Sequence, residues 1–224
     1  MSTRCKGVQR DSCSAQWAQF SGAKAGCVST GYECRELPRV LFVSLDPGWS
    51  HGDARNRLPS SVREDNEAKC FLSDIRHYRA SAHYSPRYKT QHWYRTHELA
   101  WHILRRFSVS LDIKDTCKHF AHANSAKCCW NMPHKKQAPA VLFANCAKYL
   151  GGELKILQPD IVVTQGAPAA RLLEDRTRER LPQGHDGQAS LVTLEGRRLF
   201  WLRTPHQTRF GEFCAQSTSR SRSR

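Results

Sequence analysis

From Arg39 to Leu45 the chain reads RVLFVSL, an apolar, β-branched run that stops at Asp46-Pro47-Gly48. The same form recurs in Ile161–Thr164, closed by Gln165-Gly166, and in Arg198–Arg203, closed by Thr204-Pro205-His206. Runs of this kind read as strands buried on both faces of a parallel sheet, each opening onto a loop at its carboxyl end. HFAHANSAKC (119–128) is a further strand candidate leading to a loop, and Leu191–Leu194 is a short one.

Helical periodicity fills the intervals. Trp93–Phe107 (WYRTHELAWHILRRF) has apolar residues at 93, 94, 99, 100, 101, 103, 104 and 107, with Thr96 as a candidate N-cap. Ala138–Leu157 carries a long helical pattern that Gly151 and Gly152 either kink or split, and Ala167–Leu173 is a third helix. Strands alternating with helices predict an α/β fold: a three-layer αβα sandwich around a mainly parallel sheet of four or five strands. Ligands of such sheets gather outside the carboxyl ends of the strands. The tips there are Asp46, Gly166 and His206, so an acid and a histidine are candidates for one pocket.

The remaining segments lack this patterning. Residues 1–37 are polar and rich in Gly, Ser and Cys, and read as an irregular lobe of the same domain. The main domain is expected over 38–213, with a charged insertion at about 49–91. The tail from 214 to 224 ends in STSRSRSR and is expected to be disordered.

Charge narrows the partner class. Lys plus Arg number 35 against 20 Asp plus Glu, a formal net charge of +15. An excess of that size favours a polyanion, because each neutralised phosphate releases condensed counterions. No run of about 18 apolar residues predicts a membrane span, and MSTRCKGVQRDSC lacks the apolar core of a secretory signal. A cytoplasmic location is therefore expected, and in that compartment ten cysteines point to metal ligation or buried thiols before disulfides. Cys128 and Cys146 are separated by seventeen residues; Cys5 and Cys13 lie together near the start, as do Cys27 and Cys34. Thiolates from two such segments can share a zinc ion or an iron–sulfur cluster.

Single residues add chemistry. Asp46 follows a buried strand in a turn forced by Pro47 and Gly48, where it either caps local amides or stands rigidly beside a substrate. His206 is either a surface histidine or a donor to an anionic leaving group. Asn124 offers a donor and an acceptor together, which suits the edge of a nucleobase as well as an ordinary loop.

Taken in order, LFVSLDPG, NSAKC with a further cysteine after seventeen intervening residues, a helix, LQPDIVVTQG and a final PH turn resemble the uracil-DNA glycosylase superfamily. The resemblance is nearest to the branch that carries a 4Fe–4S cluster, and it spans residues 38 to about 210. It implies a monomeric DNA base-excision enzyme that flips out uracil, or a related deaminated base, and hydrolyses its N-glycosidic bond. Asp46 then occupies the position that orients water or stabilises the sugar cation, and His206 matches the histidine of the last motif. Asn124 matches the residue that reads uracil, Gly48 lies in the turn beside the base, and Tyr94 or Trp93 is the candidate for stacking on it. Gly166, Arg209 and Phe210 fall on DNA-facing loops, the last two as wedge residues. Cys128 and Cys146 match the second pair of cluster ligands, with Cys5 and Cys13 preferred over Cys27 and Cys34 for the first.

The chain also departs from that pattern. The family's first cysteine pair is usually a close CxxC, and its last motif reads HPS where PHQT stands here. WNMPHKKQAP stands near the place where a covalently cross-linking branch has RRIH, and 49–91 has no counterpart. Two other readings stay open: a non-catalytic iron–sulfur protein that binds nucleic acid on the same fold, and an α/β enzyme of another class. The absence of GxGxxG and GxxxxGK[ST] weighs against dinucleotide or triphosphate binding in the latter.

Overall fold

A computed structural model describes residues 27–45, 92–113, 115–127, 140–177 and 189–205. The insertion expected at about 49–91 and the 214–224 tail lie outside the described residues, and of His92, Trp93 and Tyr94 only the backbone is described. So do Cys5, Cys13, Asp46, Gly48, Cys128, His206, Arg209 and Phe210.

In chain order the elements are β1 (Cys27–Val28), α1 (Thr30–Glu33), β2 (Val40–Ser44), α2 (His92–Leu104) and a 3₁₀ turn at Thr116–Lys118. There follow β3 (Phe120–Asn124), α3 (Ala140–Leu157), β4 (Ile161–Gln165), α4 (Ala167–Glu174), β5 (Ala189–Leu194) and β6 (Arg197–Thr204). One sheet runs β1-β3-β2-β4-β6-β5. Its four central strands are parallel, and β1 and β5 add antiparallel edges. This is the expected α/β class with a mainly parallel sheet. The strand beyond the expected four or five is β1, whose two residues are too few to show a period.

Alternation along the strands builds two cores. Val40, Phe42, Phe120 and Val163 face α2, where Leu99, Ala100 and Leu104 meet them. Leu41, Val43, Ala121, Ala123, Val162 and Trp201 face the other way, onto Leu150 and Leu154 of α3 and Leu172 and Leu173 of α4. Helices therefore cover both faces, giving three layers. Each wholly buried side chain of this size contributes about 1.5–3 kcal/mol through apolar burial, so the apolar runs that marked the strands also hold the layers together.

Three expectations need correcting. Thr96 is not an N-cap: it lies inside α2, wholly buried, and its hydroxyl accepts a hydrogen bond from Gln165 on β4. A threonine ahead of an apolar run looks like a cap in one dimension, whereas here tertiary packing needs its hydroxyl within the helix. α2 stops at Leu104, and the last apolar position of the pattern, Phe107, is exposed. Residues 27–37 are not irregular throughout, since β1 pairs with β3 and Tyr32 of α1 is buried, its hydroxyl donating to Leu157 O at 3.0 Å.

The paired glycines neither kink nor split α3, which runs unbroken from Ala140 to Leu157. They differ in what surrounds them. A Cβ at Gly151 would stand 2.6 Å from both Arg176 Nη1 and Glu195 Oε1, an ion pair of 2.9 Å laid across the helix backbone. A Cβ at Gly152 would meet nothing within 4 Å. Gly152→Ala is therefore expected to stabilise the protein by about 0.5–1 kcal/mol through helix propensity. Gly151→Ala forfeits that gain by displacing the ion pair and is expected to be net destabilising by about 1 kcal/mol. Urea unfolding of the two variants checks this; equal stability would show that the pair moves aside freely.

Candidate functional site

Because β3, β2, β4 and β6 are parallel, their last residues share one edge: Asn124, Ser44, Gln165 and Thr204. Ser44 is in register with Asn124, and Gln165 with Thr204. The next described helix after β2, α2, packs on one face of the sheet, whereas α3 and α4, which follow β3 and β4, pack on the other. The exits around β2 thus diverge, which is the topological switch point where α/β sheets bind ligands.

The segments leaving these strands touch one another. The amides of Ser125 and Ala126 donate to Ser44 O and Leu45 O at 2.8 and 2.9 Å, and Ser125 Oγ donates to the same two carbonyls at 2.6 and 2.8 Å. Gly166 N donates to Thr204 O at 2.9 Å. Gly166 has φ 103°, a conformation that favours glycine, and a Cβ there would come within 3.1 Å of Leu45 Cδ2, which would have to shift slightly to admit it. Gly166 is buried, and it shapes the junction of β2, β4 and β6 from within. Leu45 and Pro205 are the last described residues on the paths to Asp46 and His206.

Beneath this edge lies a buried polar chain that the sequence reading missed. His122 Nε2 is 2.6 Å from Ser44 Oγ, Ser44 Oγ donates to Gln165 Oε1, and Gln165 Nε2 donates to Thr96 Oγ1 at 3.0 Å. All four residues are at most 5% exposed. Gln165 Oε1 can only accept, so it takes the single Ser44 proton, and His122 must then donate through Nε2–H. Satisfied networks in a low-dielectric interior fix geometry strongly. This one joins β3, β2 and β4 to α2, whose first turn contains Trp93 and Tyr94. His97, on the next turn of α2, stacks edge-on against Phe120 at 5.0 Å. A signal for these residues was available: Val40-Phe42-Ser44, Phe120-His122-Asn124 and Ile161-Val163-Gln165 are period-two faces that each turn polar at the carboxyl end.

Asn124 stands above this floor, 9% exposed. Its backbone carbonyl accepts Lys127 Nζ at 2.6 Å, and Lys127 Nζ also meets Glu153 Oε2 at 2.5 Å. The Asn124 side-chain amide makes no hydrogen bond among the described residues, so a donor and an acceptor remain for a ligand.

Of the cysteines, Cys146 is buried on the inner face of α3, and its Sγ accepts the Lys127 amide at 3.2 Å. That contact places Lys127, the residue before Cys128 in the chain, against Cys146. Cys117 is a plain buried thiol in the α2-facing core, its pKa pushed up by burial, and Cys34 is exposed. Among the described residues no group of three or more His, Cys, Asp or Glu is placed to hold a metal ion; Cys5, Cys13 and Cys128 fall outside them. Nor is any described helix long and apolar enough to cross a membrane.

Comparison with protein-family models finds no match, and comparison with curated proteins finds no similar sequence.

Proposed function

We propose that the protein is a DNA base-excision glycosylase acting on uracil or a related deaminated base. The observation that carries this reading is convergence: strands whose last residues lie 39 to 160 positions apart along the chain, one ending in Asn124 and others running on in sequence toward Asp46, Gly166 and His206, meet at one sheet edge. At its centre stands Asn124, with a buried backbone and an unengaged amide.

Extruding a nucleotide requires unstacking and unpairing, which the basic surface offsets through phosphate contacts. Trp93 or Tyr94 would stack on the flipped base while Asn124 pairs with its edge. As the N-glycosidic bond breaks, cationic character grows on the sugar and negative charge on the base carbonyl. Asp46 would stabilise the first or orient the attacking water, and His206 would donate to the second. The chain from His122 to Thr96 would hold the reader and the stacking helix at fixed separation, which is the positioning contribution to such a reaction. Cys128 and Cys146, with Cys5 and Cys13, would hold a 4Fe–4S cluster as a structural cross-link.

The test is incubation with single-lesion oligonucleotides, in single- and double-stranded form, scored for abasic sites by alkaline strand cleavage. Release of uracil or another deaminated base is expected, and intact strands across the panel would end the reading. Intact strands with tight oligonucleotide binding would favour the non-catalytic nucleic-acid-binding protein. Anaerobically purified protein is expected to be brown; a colourless, zinc-loaded sample would remove the cluster from the proposal.

A further inference from the structure

The opposite edge of the sheet, at the amino ends of β2, β4 and β6, gathers cations around a neutral acceptor. Arg35 Nη2 and Arg39 Nη2 donate to the same oxygen, Gln158 Oε1, at 3.0 and 3.3 Å. Arg39 is only 7% exposed, its guanidinium lies 5.8 Å over the Tyr32 ring, and its Nε is buried without a hydrogen-bond partner among the described residues. A guanidinium offers five donors, and leaving one buried and unused is costly unless a ligand takes it. Burial and then the Arg35 charge hold Arg39 below the usual arginine range, with Arg197 acting in the same direction.

The available carboxylates do not balance these charges. Asp160 Oδ2 accepts the Arg39 backbone amide at 2.8 Å, and Oδ1 lies 3.6 Å from Arg197 Nη2. Glu195 is already paired with Arg176 at 2.9 Å and Lys155 at 3.4 Å. Adjoining these groups is a cavity of about 320 Å³, lined by Leu154, Leu194 and Leu199 together with Gln158, Arg197, Lys155 and the already paired Glu195.

We propose that this edge binds a phosphate group, with Arg35, Arg39 and Arg197 as its ligands and the adjoining cavity receiving the body that carries it. Arginine forks match phosphate oxygens in a bidentate manner, and a phosphate oxygen competes favourably with a neutral amide for them. The two possible carriers are a free phosphate ester and the phosphate of a nucleic-acid strand. The site is separate from the excision edge, so its test does not depend on that reading.

Titration of the full-length protein with inorganic pyrophosphate by calorimetry is expected to give saturable binding. Arg35→Gln, at an exposed position, is expected to weaken it about tenfold, as is Arg39→Gln, in line with the loss of a charge-assisted hydrogen bond. Arg106→Gln, exposed beyond α2, controls for net charge and is expected to leave it unchanged, and circular dichroism checks that each variant is folded. Displacement of pyrophosphate by oligothymidylate would identify nucleic acid as the carrier, and failure to displace it a free ester; both support a phosphate site. Absence of saturable binding, or equal weakening by all three variants, would overturn it.

Discussion

Replacing Asn124 with alanine is expected to lower uracil excision by about 10²–10³-fold, the usual loss on removing one preorganised polar contact from an active site. Stability is expected to change little. The Asn124 contact that supports the fold is its backbone carbonyl, which alanine retains, and its side-chain amide has no hydrogen bond among the described residues to lose. Asn124→Asp is the sharper form of the experiment. A carboxylate has no N–H to donate, so it should discriminate against uracil while keeping the side chain's size. Melting curves paired with single-turnover excision of a uracil-containing single strand provide the measurement. Full activity in Asn124→Ala would remove this residue from base recognition and leave the convergence at the sheet edge without its central reader.

That Asn124 could be picked out at all reflects how a parallel sheet is written. Phe120, Ala121 and Ala123 are apolar because both faces are covered, His122 being the buried exception, so the polar residues that close the strand mark the open edge. The strand from Val40 to Ser44 and that from Ile161 to Gln165 were legible for the same reason. What could not be read was pairing. Ser44 and Gln165 are separated by 121 residues, and His122 lies 78 from Ser44. Only the register Phe42 opposite His122 and Phe42 opposite Val163 puts their side chains on one face, with Ser44 level with Gln165 and His122 one same-face pair below. Thr96 was misread for a related reason, since a helix start and a tertiary hydrogen bond both call for a hydroxyl. The β5–β6 edge was half visible: Leu191–Leu194 and Arg198–Arg203 read as strands. Their antiparallel pairing rests on the two-residue turn at Glu195-Gly196, with φ 48° and 79°, a conformation that favours glycine and recurs in tight hairpins.

Lys127→Met is expected to cost about 2–4 kcal/mol of stability, toward the lower part of the range for breaking a buried ion pair, because Glu153 keeps some access to water. Lys127 is 7% exposed at its side chain and Glu153 25%. Methionine fills a similar volume but leaves the Asn124 carbonyl without its 2.6 Å donor and Glu153 without its counter-charge. Glu153→Gln separates the two effects, since it removes the charge pair while Lys127 can still hold Asn124 O. If Lys127 positions the reader, excision should fall in Lys127→Met by more than its folded fraction explains, and Glu153→Gln should retain it. The double variant Lys127→Met/Glu153→Met should recover part of the stability without recovering activity, because the uncompensated carboxylate is gone but the Asn124 carbonyl is still unanchored. Urea unfolding and excision kinetics on the same preparations give both readouts. Activity that tracks folded fraction in all three variants would mean that the lysine serves the fold alone.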